Sequence, residues 1–293
     1  MMKKKIHIRA RGYRADVGPI KVNRILSNRY VEAVGPFVFL DHALPVRHSA
    51  DEPRWRANGE GAHPHRGIAT LTYILSGEVT HLDSKGHFAK VSSGGVQWMK
   101  AGDGVIHDEV VNPDPQTGDL LTQGLQFWID LPAKNKAEKP EYLSVTPAEV
   151  PMIKLDDQGW LKVILGEYKS RASKIPNYTG QFIYHVHLAS DKQFTLETTK
   201  DWEYAAFLPM TNAIINDREY KQGEFLLFDR DNGSIDIDSV DVATDIILFG
   251  GEPYAEPIVA QGPFVMNTQH EISQAYNDFY EGKYGEIDYS LAD

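Results

Sequence analysis

Residues 63–67 of the chain read His-Pro-His-Arg-Gly, and this stretch anchors the interpretation of the whole sequence. Side chains alternate along an extended strand, so the imidazoles of His63 and His65 point to the same side and can reach one ion. Pro64 fixes its own φ and biases His63 towards extended geometry. Gly67 then allows the chain to turn into the next strand.

A second short segment, residues 106–109, reads Ile-His-Asp-Glu and repeats this spacing with His107 and Glu109. The glycine-rich run at 94–104 predicts a turn, a strand and a second, tight turn that precedes His107. Imidazole and carboxylate ligands suit iron, manganese, cobalt, nickel or zinc. The sequence has no cysteine, which excludes a thiolate site. The two segments together predict a site for one divalent transition metal ion.

We interpret five histidines outside these two segments as surface or structural residues and not as metal ligands. A lone His-x-His pair also fits two surface histidines on a strand, and we interpret His185 and His187 in this way because no His/Glu motif follows them. We expect these two side chains to face outward or into a polar pocket. His42 follows a compact apolar run and is interpreted as a structural histidine. His81 and His87 lie in predicted hairpins and are expected at the surface.

Four segments of the chain resemble the cupin pattern and, more narrowly, the pirin family. They are HPHRG at 63–67, VQWMKAGDGVIHDE at 96–109, GLQFWIDLP at 124–132 and GPFVMNTQHEI at 262–272. Pirins are bicupins in which the N-terminal barrel holds the metal and the C-terminal barrel has usually lost it. The usual ion is iron (Fe²⁺). The resemblance implies four ligands: His63, His65, His107 and Glu109.

One position departs from the general cupin pattern, which places a glutamate soon after the His-x-His pair. Ala69 stands there, with Thr70 beside it. Pirins take their carboxylate ligand from the second motif, so Glu109 can still complete the set. Because the glutamate is absent at Ala69, the resemblance does not assign the residues that contact a substrate.

The strand pattern predicts a β-sandwich or barrel, and the resemblance implies an all-β fold of two tandem cupin β-barrels (a bicupin) with a short C-terminal helix. Residues 68–83 alternate in strand fashion, and Ser76-Gly77-Glu78 predicts a hairpin turn within them. The polar run at 132–140 predicts an exposed connection. We place the N-terminal metal-binding cupin domain at 1–140. The C-terminal cupin domain, without metal and including the helix, is placed at 150–293.

The C-terminal helix carries its own signals. Thr268 and Glu271 form a capping-box pattern, and Gly282 can end the helix. Between them, apolar residues recur at helical spacing: Ile272, Ala275, Tyr276, Phe279 and Tyr280. This stripe predicts a packing face and not a ligand site.

Composition excludes several classes of function. The chain has 293 residues, a formal net charge of -11 and a sequence pI of about 5.5. A general nucleic-acid binder needs a basic face for phosphate contacts, so that class is excluded. The start of the sequence lacks an apolar segment of the secretory type, and no stretch is apolar enough to span a membrane. We expect a cytoplasmic monomer.

Two classes of function fit these observations. The first is a quercetin 2,3-dioxygenase-like oxidoreductase, in which Glu109 acts as general base towards a small aromatic, flavonol-like substrate and O2 is the second reactant. Leu71, Tyr73, Trp98 and Phe127 are candidates for the pocket wall. The alternative is a non-enzymatic iron-binding regulatory protein that acts through protein–protein contacts, as some animal pirins do. If the metal is purely structural, we expect the protein to unfold when a chelator removes the metal and to catalyse no reaction.

Overall fold

The structure is a computed structural model that describes residues 2–18, 20–239 and 241–292. Strands make up 50% of the chain and helices 7%, which confirms the predicted all-β class with one short C-terminal helix. Among the described residues, no helix is long and apolar enough to cross a membrane.

The strands before residue 150 are β1 (Ile6–Arg11), β2 (Tyr13–Val17), β3 (Ile20–Leu26), β4 (Phe37–Arg47), β5 (His63–His65), β6 (Ile68–Ser76), β7 (Glu78–Asp83), β8 (Phe88–Ser92), β9 (Val96–Lys100), β10 (Val105–Asn112), β11 (Leu121–Asp130) and β12 (Glu141–Val145).

The later strands are β13 (Met152–Lys154), β14 (Gly159–Leu165), β15 (Glu167–Tyr168), β16 (Arg171–Ala172), β17 (Phe182–Leu188), β18 (Gln193–Glu197), β19 (Glu203–Phe207), β20 (Ala213–Ile215), β21 (Arg218–Tyr220), β22 (Glu224–Phe228), β23 (Ser234–Asp238), β24 (Thr244–Gly251), β25 (Val259–Gln261) and β26 (Phe264–Met266). The α-helix α1 covers Gln269–Tyr280, and 3₁₀ turns cover Ala133–Asn135 and Tyr289–Ala292.

The chain forms two compact units, each built from separate stretches of sequence. One unit contains Met1–Ala15, Asn23–Leu40 and Val150–Tyr254. The other contains Asp16–Val22, Asp41–Glu149 and Ala255–Asp293. This division differs from the sequence-based boundaries of 1–140 and 150–293, because the C-terminal helix falls in the unit that contains residues 41–149.

The unit with residues 41–149 carries two facing groups of strands. One sheet has the order β5-β10-β7-β8. The other runs β12-β9-β6-β11 and continues into β4, whose residues from Asp41 onward belong to this unit. The pairings within β5-β10-β7-β8 and within β12-β9-β6-β11 are antiparallel, which is compatible with the short turns between the strands.

The segment 76–78 does not form the predicted hairpin turn. β6 pairs with β9 and β11, whereas β7 pairs with β8 and β10 in the other sheet. Gly77 has a φ of 102°, and its N–H donates to the Ser93 hydroxyl at 3.0 Å. The chain therefore passes from one sheet to the other at Gly77. The alternation signal identifies strands but not their partners, which explains the error.

The predicted exposed connection at 132–140 is only partly exposed. Asn135 and Lys136 are buried, and the Lys136 ammonium donates to the carbonyls of Gly67 at 3.0 Å and Val265 at 2.9 Å and also contacts Asp130. A buried lysine with this many acceptors ties several segments together. The polar composition of residues 132–140 does not show that Lys136 is buried or which groups it contacts.

The C-terminal helix begins where the capping box predicts. The Thr268 side chain accepts from the Glu271 N–H at 3.2 Å, and a Glu271 oxygen accepts from the Asn267 N–H at 3.1 Å. Ile272 and Ala275 are buried as expected. The prediction was wrong for Tyr280, which is 77% exposed because it lies at the last turn.

The unit with residues 150–254 has a main sheet of order β1-β22-β19-β24-β17-β14-β13. A second sheet has the order β18-β23-β20-β21. Apolar side chains from both sheets form one core cluster; among them are Leu161, Val186, Ile237 and Leu248. Alternation along β14, β17 and β24 leaves polar residues on the face that does not carry this cluster.

Candidate metal centre

Three histidines converge at the junction of β5 and β10. These strands are antiparallel, and His107 lies directly opposite His63. The Nε2 atoms of these two residues are 3.1 Å apart. One nitrogen from each of His63, His65 and His107 lies within 4.8 Å of the others. The predicted histidine cluster is thus brought together by strand pairing.

Backbone carbonyls set the tautomers of two of these rings. Nδ1 of His63 lies 2.8 Å from the Gly61 carbonyl oxygen, and Nδ1 of His65 lies 3.0 Å from that of Pro263. A carbonyl only accepts, so each Nδ1 carries a proton and donates it. The Nε2 lone pair of each neutral ring is then free to face the cluster. Nε2 of His65 is buried and has no hydrogen-bond partner among the described residues.

Burial favours the neutral form of two rings in the cluster, His65 and His107. It lowers the pKa of His65 well below the usual value, and the nearby His107 and His63 rings act in the same direction. Burial also lowers the pKa of His107, although Glu109 opposes this. Neutral imidazole is the form that binds metal, so these rings are available as ligands at neutral pH.

Glu109 is the one acidic side chain among the predicted ligands, and it lies on the Nδ1 side of His107. A Glu109 oxygen is 3.4 Å from His107 Nδ1 and 3.4 Å from His81 Nδ1. Burial acts to raise the pKa of Glu109, but the neighbouring His107 and His81 hold it well below its usual range. The carboxylate is therefore ionised at neutral pH.

The cluster fits a divalent transition metal. Two nitrogen ligands at right angles, each about 2.1 Å from one ion, would be about 3.0 Å apart, close to the 3.1 Å between the Nε2 atoms of His63 and His107. The orphaned Nε2 of His65 supplies a third nitrogen. Glu109 falls into an adjoining group with His81 that shares His107. The four predicted ligands therefore form two overlapping groups.

His81 was predicted at the surface, and that prediction was wrong. It is fully buried, its ring stacks on Tyr142 with centroids 4.2 Å apart, and its Nε2 lies 3.3 Å from an Asp83 oxygen. Burial acts to lower the pKa of His81, but the hydrogen bonds that its ring donates to Asp83 and Glu109 leave that pKa raised. His87, which is partly exposed, also contacts Asp83 at 2.8 Å.

The residues proposed for the pocket wall lie on the wrong face of their sheet. In β6, β9 and β11, Leu71 is paired with both Trp98 and Phe127, so these side chains share one face. Thr72, Gln97 and Gln126 share the opposite face, which faces Glu109. Trp128 lies on this second face, with its ring 4.8 Å from that of His65.

The two glutamines were missed at the sequence level. Gln97 stands within Val-Gln-Trp-Met-Lys and Gln126 within Leu-Gln-Phe-Trp. A polar amide inside an otherwise apolar strand could have identified them from the sequence, because a buried amide needs specific hydrogen-bond partners. The replaced glutamate position holds Ala69, which is buried in β6 and carries no polar side chain.

The second His-x-His pair forms a separate polar group in the other unit. His185 Nε2 and His187 Nδ1 each lie 2.9 Å from the same Asp245 oxygen. Trp160 packs against both rings, at 4.8 and 5.0 Å. The pair was expected to face outward or into a polar pocket; His185 is buried, so the surface interpretation was wrong for it and the polar pocket describes it. His42 lies 2.7 Å from the Gln123 amide, which supports its structural interpretation.

The family model for pirin matches residues 20–129, and the model for the pirin C-terminal cupin domain matches residues 183–285. The chain is 31% identical over 273 residues to the Arabidopsis thaliana pirin-like protein 2, with 90% of this chain and 80% of that protein covered.

Two solved structures extend the comparison. A structure titled quercetin 2,3-dioxygenase from Acinetobacter baumannii has a TM-score of 0.88 and 30% identity, covering 98% of this chain and all (100%) of that one. The Escherichia coli pirin YhhW in complex with nickel(II) has a TM-score of 0.63 and 21% identity, covering 84% of this chain and 100% of that one, and it supports the fold alone. The chain therefore belongs to the pirin family, with the two cupin-type domains of that family.

Proposed function

We propose that the protein is an iron-dependent dioxygenase of the quercetin 2,3-dioxygenase type that acts on a flavonol-like substrate. The observation that carries the proposal is the convergence of His63, His65 and His107 beside the ionised Glu109. Three imidazole nitrogens and one carboxylate are a donor set that suits a divalent transition metal in an oxygenase.

In this proposal His63, His65 and His107 would hold the ion, and Glu109, which lies beside His107 Nδ1 in the structure, would be the fourth ligand. When bound, the ion would supply Lewis-acid and redox chemistry to an oxygen-bearing aromatic substrate. The Glu109 carboxylate accepts the proton of the substrate hydroxyl, acting as general base. The carbonyls of Gly61 and Pro263 keep two imidazoles in the ligating tautomer throughout. Trp128 supplies an apolar surface beside His65.

The comparisons support the reaction class and leave the metal as part of the proposal. The Acinetobacter baumannii relative bears the name quercetin 2,3-dioxygenase, and nickel(II) is bound by the E. coli pirin. We propose iron as the resident ion, with manganese, cobalt, nickel and zinc as alternatives that the same ligands accept.

Metal analysis and a flavonol assay test the proposal together. We expect freshly purified protein to contain about one transition metal ion per chain, and the His63→Ala/Glu109→Ala variant to lose it. Aerobic incubation with iron should deplete flavonol absorbance in wild type, with roughly a 100-fold slower rate in the variant. His187→Ala is the matched control, because His187 belongs to the other His-x-His pair and contacts Asp245.

Two results would contradict the proposal. Iron-loaded wild type that binds metal but leaves the flavonol intact would refute the dioxygenase function and favour an iron-binding regulatory protein. In that case, capture of a protein partner should differ between ferrous and ferric protein. No bound metal after iron loading would refute the metal centre itself.

We also propose that the protein is a monomer and that it is located in the cytoplasm. Light scattering of the purified, metal-loaded chain gives its mass in solution, and a mass near 32.9 kDa is expected. A value near twice that mass would contradict the monomer.

A further inference from the structure

We propose that Gln97 and Gln126 are positioning residues that together hold both oxygens of Glu109 in place at the metal centre. This inference rests on the proposed function, because it concerns the carboxylate that the proposal uses as ligand and base. Neither glutamine is among the predicted ligands, and neither is proposed to touch the metal.

The contacts are complementary. Gln97 Nε2 donates to Glu109 Oε1 at 2.5 Å, and Gln126 Nε2 donates to Oε2 at 3.3 Å. Each carboxylate oxygen thus has its own amide donor. Hydrogen bonds from neutral donors to an ionised acceptor are stronger than neutral pairs, so these two contacts fix the rotation of the carboxylate.

A third residue holds the other end of the Gln97 amide. The ionised Glu109 carboxylate only accepts, so the NH2 end of the amide must face it, and the Tyr142 hydroxyl donates to Gln97 Oε1 at 2.9 Å. Both glutamine NH2 groups also approach the Thr72 hydroxyl, at 3.2 and 3.5 Å. Gln97 is 3% exposed, so water is a poor substitute for these contacts.

The amide cradle formed by Gln97 and Gln126 joins the two sheets of one unit. Gln97 lies on β9 and Gln126 on β11, and each of these two residues is paired with Thr72 of β6 in one sheet. Glu109 lies on β10 in the other sheet. The donors therefore come from a rigid paired framework, which is how ligands are held to the precision that metal sites need.

Without these donors the carboxylate would be buried with fewer partners and free to rotate away from the histidines. Amides that orient a metal ligand usually affect metal affinity by roughly 10- to 100-fold. Their loss should also change the arrangement of ligands around the ion. A purely structural glutamine would instead affect folding stability and leave metal affinity per folded molecule unchanged.

The test measures Co²⁺ binding and the visible ligand-field spectrum of the Co²⁺-loaded full-length chain. We expect Gln97→Met and Gln126→Met to bind Co²⁺ roughly 10- to 100-fold more weakly than wild type, with an altered spectrum. Gln123→Met is the matched control, because Gln123 is a buried amide on the same strand as Gln126 and bonds to His42. Its Co²⁺ affinity should stay within about twofold of wild type.

Tyr142→Phe keeps the inference testable if a glutamine variant fails to fold. It retains the aromatic ring that stacks on His81 and removes only the hydroxyl that donates to Gln97 Oε1. We expect a Co²⁺ affinity about 3- to 10-fold weaker than wild type. Wild-type affinity and spectrum in Tyr142→Phe and in every glutamine variant that folds would overturn the inference.

The readout separates this inference from the proposed function. If wild type binds Co²⁺ and the glutamine variants bind it more weakly, the result supports the cradle. This holds even if the iron-loaded protein leaves the flavonol intact. Flavonol turnover with unchanged Co²⁺ affinity in the glutamine variants would refute the cradle and leave the dioxygenase standing. No Co²⁺ binding by wild type would overturn both.

Discussion

Asp278 shows how one carboxylate can collect several donors. Lys283 Nζ and Arg66 Nη1 each lie 2.6 Å from its oxygens, and the Gln274 amide donates at 2.8 Å. The hydrogen bond from Lys283 lowers the pKa of Asp278 to about 2, against the opposing effect of burial and with further help from Arg66. Because its pKa is depressed on folding, Asp278 stabilises the protein above the unfolded-state value of about 4.

We therefore expect Asp278→Asn to lower the free energy of unfolding at neutral pH by about 1 kcal/mol, after allowing for solvent screening around Lys283. The stabilisation is lost as pH falls through the folded pKa. The difference between variant and wild type should thus shrink between about pH 4 and pH 2. Urea unfolding at a series of pH values measures it. A difference that does not depend on pH in this window would contradict the assignment.

At the level of elements, the turn between β5 and β6 decides whether the histidines of β5 reach the site. Gly67 has a φ of 82°, and a Cβ at this position would lie 2.0 Å from the Val265 carbonyl oxygen. Its N–H donates to the Gly102 carbonyl at 3.0 Å. Both the backbone conformation and the close approach require glycine.

Gly67→Ala should lower the free energy of unfolding by at least about 3 kcal/mol, because it adds a steric clash to the strain of a positive φ. It should also weaken Co²⁺ binding, since β5 carries two of the predicted ligands. Gly86→Ala is the control: Gly86 has a φ of 87°, and a Cβ added there would meet no described atom within 4 Å, so it tests strain alone. We expect about 1 kcal/mol there. Equal losses in urea unfolding would rule out the clash.

For the whole molecule, the compact unit that contains the candidate metal centre is completed by residues far away in sequence. The Pro263 carbonyl fixes His65, and the Val265 carbonyl accepts from Lys136. Phe264, Ile272 and Tyr284 form a buried apolar cluster in the same segment. The site therefore depends on the C-terminal segment although its predicted ligands lie between residues 63 and 109.

A fragment of residues 1–140 should bind Co²⁺ at least about 10-fold more weakly than the full chain, because it lacks both the Pro263 carbonyl that fixes the His65 tautomer and Tyr142, which donates to Gln97. It should also bind an apolar dye, since the partners of the C-terminal cluster are exposed. Adding residues 255–292 as a separate chain should recover part of the affinity. A fragment 1–140 that folds and binds with full affinity would instead support the linear division at 1–140 and 150–293.

The sequence by itself determined the strand-rich class, the capping box at Thr268 and the three histidines that converge. These features depend on local spacing: period-two alternation, one-residue separation and the offset from Thr268 to Glu271 are all present in a few consecutive residues.

Only the tertiary structure decided which strands pair, which face of β9 and β11 meets the site, and that His81 is buried. It also revealed the two amide contacts to Glu109, and it assigned the C-terminal helix to the unit with the candidate metal centre. The physical reason is that strand pairing and burial are long-range: an alternating strand shows two faces, and the sequence does not say which partner covers each. Gln97 and Gln126 acquire their role only when two sheets bring them to the same carboxylate.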